Sequence, residues 1–162
     1  MTARSTLLAA LFALAAAVPA QADDTLARGK YLASIMDCGG CHTRGAMIGK
    51  PDEALALAGS DIGFEVPGLG YFYPPNITPD METGLGKWSE AEIIAAVRKG
   101  VRPDGRELVV MPWRAYAALS DADARALAAY LKSLAPIKAP TPPMTAHAAK
   151  APAPYFTVKM PQ

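Results

Sequence analysis

Apolar and polar positions recur at helical spacing in three stretches of the chain. In the first, Leu26, Tyr31, Leu32 and Ile35 fall roughly on one face of a helix over residues 25–37, with Asp24 or Thr25 as its cap. The second is "KWSEAEIIAAVRKG". Ser89 with Glu92 three positions on forms a capping box, Trp88 can staple back onto Ile93, and Gly100 ends the helix. The third starts at Ser120 with Asp121 and Asp123 in its first turn. It carries Leu127, Tyr130, Leu131 and Leu134 on one side and is stopped by Pro136. Between the first two lie residues 43–80, rich in Gly and Pro, which read as one long ordered loop with a short hairpin around residues 68–70. A loop that long inside a compact domain calls for something to wrap.

The two ends break the pattern. Residues 1–22 hold one charge (Arg4), an apolar run over residues 7–18 and then Ala20-Gln21-Ala22, which is the layout of a secretory signal peptide cleaved after Ala22. That run is shorter than the about 20 residues needed to cross a bilayer, and no later segment is apolar for longer. The expected divisions are a leader (1–22), a folded domain (23–138) and a Pro/Ala-rich tail (139–162) of polyproline character with no core-forming period. The tail ends in "YFTVKM", a short apolar patch suited to engaging a partner subunit, against simple disorder as the alternative.

Charge narrows the partners. The 162 residues carry 16 Lys and Arg against 15 Asp and Glu, and loss of Arg4 with the leader leaves the balance neutral. Nucleic-acid binding, which depends on phosphate neutralisation, is not expected. The cluster Arg98, Lys99, Arg102 and Arg106 reads as a solvated helix end and loop.

Both cysteines and one of the two histidines sit within "MDCGGCHTRG". A redox dithiol would need a surrounding βαβ pattern, which is missing. A structural zinc site would need a fourth ligand, and only His147 in the tail could supply it. A plain disulfide between the two cysteines is the simplest alternative. Covalent attachment of one haem c suits the pattern better. Cys38 and Cys41 would add to the vinyl groups, and the adjacent His42 would be delivered to one face of the iron. No Ser-His-acid or metal-hydrolase pattern accompanies the motif, which points to a redox carrier rather than a catalyst.

The pieces "RGKYLASIMDCGGCHT", "YPPNITPD", "TGLGKWSEAEIIAAVRKGVRPDGRELV", "MPWRAY" and "LSDADARALAAYLKSL" together resemble class I c-type cytochromes. More closely, they are similar to the cytochrome c subunits of bacterial periplasmic dehydrogenases of the alcohol dehydrogenase type. The resemblance implies an all-α fold in which the first and last helices cross and long loops wrap the haem. It also implies electron transfer in the periplasm from a dehydrogenase to a respiratory-chain acceptor. A haem-based sensor with an exchangeable sixth ligand is the alternative, and carbon monoxide binding to the reduced protein separates the two.

Within that resemblance, a proline carbonyl accepts a hydrogen bond from the axial histidine, which points to Pro75 in "PPNIT". The crossing suggests that Gly29 lets Tyr130 or Leu127 approach. Tyr31, Trp88 and Trp113 read as packing residues around the core or haem. Asn76-Ile77-Thr78 matches a glycosylation sequon, but an asparagine that orders the loop is the better reading.

The sixth ligand follows by elimination. Met36 and Met47 are tethered beside the motif, Met144 and Met160 ride on the tail, and Met81 sits in a polar turn. Met111, between "ELVV" and "PWRAY", is the remaining candidate and matches the position where such cytochromes place a methionine. His147 in the tail reads as an incidental exposed residue.

Overall fold

The computed structural model describes residues 19–146 and 150–161. Its element order is α1 (Pro19–Ile35), α2 (Cys38–His42), β1 (Gly63–Val66), β2 (Gly70–Phe72), α3 (Glu90–Lys99), α4 (Trp113–Tyr116), α5 (Asp121–Ser133), β3 (Thr145–Ala146) and β4 (Tyr155–Phe156), with single 3-10 turns at Ala46–Ile48 and Glu53–Leu55. The expected leader junction after Ala22 falls inside α1, and the rest of the expected leader, like His147, lies outside the described residues.

The ends of α3 and α5 follow the sequence signals, whereas α1 starts at Pro19, ahead of the cap expected at Asp24 or Thr25. The Ser89 hydroxyl accepts from the Glu92 amide while the Glu92 carboxylate accepts from the Ser89 amide at 2.7 Å, and Gly100 closes α3 in the left-handed region at φ 68°. Ser120 caps α5 by accepting from the Asp123 amide, with Asp121 and Asp123 beside the positive end of the helix dipole.

α1 crosses α5 at Gly29. A Cβ there would sit on the Ala126 carbonyl oxygen and 2.5 Å from Tyr130 Cβ, so glycine is what permits the approach. Tyr130 is the neighbour the sequence suggested, and Ala126 takes the place of Leu127. Leu127 instead points into the core with Leu32, Ala33, Leu85, Ile93, Ala126, Ala128 and Leu131. Each large aliphatic side chain fully buried there contributes about 1.5–3 kcal/mol.

The buried face of α1 differs from the expected one. Gly29, Leu32 and Ala33 are buried and Met36, just past the helix, packs against the core, whereas Tyr31 and Ile35 are 53 % and 59 % exposed. Leu32 is buried as expected, Gly29 and Ala33 complete the face, and at Gly29 α5 comes too close for a side chain. Tyr31 is therefore a surface residue, with the Arg28 guanidinium 5.4 Å from its ring centre, and the expectation that it packs inside is corrected.

The helices form an all-α domain to which a small sheet is added. The expected hairpin is present, with Phe64 opposite Phe72, Glu65 opposite Tyr71 and Val66 opposite Gly70. The tail then returns to this hairpin and flanks it on both sides, giving the order β3-β2-β1-β4. β3 runs antiparallel to β2, and β4 runs parallel to β1. Gly70, at φ 137°, admits β3, since a Cβ there would strike the Thr145 carbonyl oxygen. The Tyr73 hydroxyl donates to the Ala153 carbonyl at 2.6 Å and accepts from the Ala153 amide at 3.2 Å. Much of the tail is thus docked on the domain by backbone pairing, a feature absent from the expected polyproline arm.

Candidate functional site

The Cys-Gly-Gly-Cys-His segment forms the single-turn helix α2, and Asp37 starts it. Asp37 adopts a left-handed conformation (φ 54°), tolerated by a short polar side chain, and its carboxylate accepts from the Gly40 amide at 3.2 Å. A Cβ on Gly40 would collide with that carboxylate, so the second glycine of the motif is needed for the cap.

Cys38 and Cys41 are partly buried and not bridged to each other, so the disulfide alternative does not describe this structure. Burial, then the neighbouring Asp37 charge, pushes the Cys38 thiol up to about 11, and the same two causes raise Cys41. Among the described residues, no three His, Cys, Asp or Glu side chains converge on a point that could hold a metal ion. Zinc needs such convergence. Thiols that add to two separate carbons do not.

His42 lies 33 positions before Pro75, and its Nδ1 is 2.7 Å from the Pro75 carbonyl oxygen. A carbonyl can only accept, so Nδ1 carries the proton and Nε2 keeps its lone pair. Burial pushes the imidazole below its usual range, against the opposing pull of that carbonyl, and so favours the neutral ring a metal ligand requires.

The segment over residues 57–60 bridges the two partners. Leu57 N donates to Thr43 Oγ1 at 3.1 Å, Gly59 N to the His42 carbonyl at 2.8 Å and Ser60 N to the Pro74 carbonyl at 3.0 Å.

On the other side of the motif, the Tyr116 hydroxyl donates to the Met36 carbonyl at 2.9 Å. Burial first, and then the charges of Cys38, Cys41 and Asp37, raise Tyr116 above its usual range, which places α4 beside the thiols. Met111 is partly buried just ahead of α4, with its carbonyl accepting from Trp113 N at 2.8 Å. Met81 is 58 % exposed. Trp113 packs against Gly100, and Trp88 packs against the core. The basic cluster is half neutralised: Arg98 pairs with Asp121, and Arg102 and Arg106 share Asp104.

Asn76 and Thr78 are each 1 % exposed, which excludes the sequon as a glycosylation site in the folded chain and supports the loop-ordering reading. Sequence reasoning missed Asp37 and Tyr116. The Asp-x-x-Gly spacing of a local cap could have shown the first. The bond from Tyr116 to Met36 carries no local signal.

The unbridged thiols and the imidazole held through Nδ1 fit covalently held haem c. The residues that would hold it are Cys38 and Cys41 through sulfur and His42 through Nε2.

The family model described as cytochrome c matches residues 26–135. The chain is 40 % identical over 118 residues to a subunit of nicotinate dehydrogenase from Pseudomonas putida, covering 72 % of this chain and 9 % of that protein. It is 37 % identical over 121 residues to the fructose dehydrogenase cytochrome subunit of Gluconobacter japonicus, covering 73 % and 23 %. With the gluconate 2-dehydrogenase cytochrome c subunit of Pantoea cypripedii, identity is 41 % over 120 residues, covering 72 % and 25 %. The chain therefore spans a quarter or less of the length of these relatives.

Proposed function

The chain belongs to the cytochrome c family, and from that premise we propose that it is a one-haem electron-transfer protein serving a periplasmic dehydrogenase. The observation that carries this reading is the His42 ring held through Nδ1 by the Pro75 carbonyl next to two unbridged thiols. When bound, the haem supplies a one-electron ferric–ferrous couple.

The chain's own residues do the rest. Cys38 and Cys41 would hold the group through sulfur, and His42 Nε2 and Met111 would be the ligands to its iron. The Pro75 carbonyl fixes the imidazole tautomer and raises its basicity. The dehydrogenase named in each relative supports an electron donor of that class here. A respiratory-chain acceptor, a periplasmic location and cleavage after Ala22 complete the proposal. Among the described residues, no helix is long and apolar enough to cross a membrane. The proposed boundaries remain a domain over residues 23–138 and a tail over 139–162.

Denaturing electrophoresis with haem staining tests the attachment. The wild-type chain should retain stain. Cys38→Ala and Cys41→Ala should each lose most of the stained holoprotein. Haem released from the wild-type chain by acid-acetone would defeat the proposal.

A further inference from the structure

We propose that Asn76 is a positioning residue for His42, fixing the Pro75–Asn76 peptide, and with it the carbonyl that holds the ring, to the segment that leaves α5. The inference rests on the reading of His42 as an axial ligand. Asn76 is buried, and its amide is fully used. Nδ2 donates to the Ile137 carbonyl at 2.7 Å and to Thr83 Oγ1 at 3.0 Å. Oδ1 accepts from Thr78 N at 2.9 Å and from Thr78 Oγ1 at 2.8 Å. The bond from Thr78 N closes an Asx-type turn that fixes the backbone around residue 76.

The anchor points are themselves tied down. Ile137 N donates to Thr78 Oγ1 and Ala139 N donates to Thr83 Oγ1, both at 3.1 Å. Thr83 Oγ1 in turn donates to Asp80 Oδ1 at 2.7 Å. On the opposite side, Gly59 fits closely against the same peptide: a Cβ there would lie 2.9 Å from Asn76 N and 3.1 Å from Pro75 C. The peptide is therefore gripped from both sides, and the Pro75 carbonyl has little freedom to swing away from Nδ1.

That carbonyl does two things for the ligand. It orients the ring, and by accepting the Nδ1 proton it strengthens Nε2 as a donor, which favours ferric iron. Loosening the grip weakens both. Loss of a hydrogen-bonding partner behind a metal ligand typically changes metal affinity by about 10–100-fold. For a one-electron couple, each tenfold change in the ratio of ferric to ferrous affinity is about 59 mV.

The experiment compares wild-type holoprotein with Asn76→Ala, Thr83→Val, Thr83→Ser and Ser120→Ala. It measures midpoint potential, solvent exchange of the His42 Nδ1 proton by NMR, and thermal midpoint. Asn76→Ala should raise the potential by at least the tenfold equivalent and speed the exchange. Thr83→Val, which removes one acceptor of Nδ2 at nearly constant volume, should move both in the same direction. Thr83→Ser keeps the hydroxyl and should restore wild-type values. Ser120→Ala, which removes the cap at the end of α5 far from Ile137, should lower the thermal midpoint alone.

If Asn76→Ala gives no holoprotein, the Thr83 pair decides. Wild-type potential and exchange in Thr83→Val overturn the proposal, as does an equal shift in Ser120→Ala. A wild-type chain that carries no haem would instead overturn the reading of His42 on which the proposal rests.

Discussion

Met81 and Met111 both lie beyond the cysteine motif, and burial separates them: Met81 is largely exposed, while Met111 is partly buried just ahead of a helix whose Tyr116 hydroxyl donates to the Met36 carbonyl, two residues before Cys38. Met111→Ala should abolish the weak red sulfur-to-iron band of the oxidised protein, lower the potential and open the reduced iron to carbon monoxide. Met81→Ala should do none of these. Visible spectroscopy of the two variants decides between them, and the reverse pattern would move the ligand to Met81. At this scale the sequence is read well where chemistry is local. Cys38, Cys41 and His42 announce themselves within five positions. Pro75 could be reached only through family resemblance, because its bond to His42 spans 33 positions. The partners of Asn76 are farther still, with Ile137 lying 61 positions away. No pattern of residue types encodes that pairing.

The packing of α1 on α5 shows what hydrophobic spacing misses between elements. Leu26, Tyr31, Leu32 and Ile35 suggested one face; Leu32 does reach the core, but Tyr31 and Ile35 are exposed and the small residues Gly29 and Ala33 are buried in their place. In an exposed helix, Gly29→Ala would stabilise by about 1 kcal/mol through helix propensity. Here the added methyl meets the Ala126 carbonyl and Tyr130, and overpacking of this kind costs about 1–3 kcal/mol. The expected result is a net loss of stability in chemical denaturation; a gain would show that the helices can part without cost. The caps of α3 and α5 were legible because each is completed within four residues. β3 and β4 were not, since two-residue strands amid prolines have no period, and their partners lie in a distant hairpin.

Across the whole molecule, the perturbed carboxylates shift one way. Asp123 is lowered first by its hydrogen bond from Arg28, Asp121 by that from Arg98, Asp80 by Thr83, Glu92 by Ser89, and Asp104 strongly by Arg106. A carboxylate held below its unfolded pKa of about 4 contributes stability above that pH, and the contribution disappears as pH falls through the folded-state value. Asp123→Asn should therefore melt below the wild type at neutral pH, with the gap closing as the solution is acidified below about pH 4. Added salt should also narrow the gap, since the Arg28 pair is exposed. A gap unchanged between neutral and strongly acidic solution would rule out the ion pair as its source.

The return of the tail to the hairpin also bears on how the molecule treats its neighbours. β1 and β2 would by themselves present two open rows of amides and carbonyls, each ready to recruit an extended segment from another chain. β3 covers part of one row and β4 part of the other, and both come from the last stretch of polypeptide. The tail thus acts as an edge guard supplied by the chain itself, and its prolines limit how far any stranger could extend the sheet beyond it. Release of β3 and β4 would uncover the parts of both rows that they pair with.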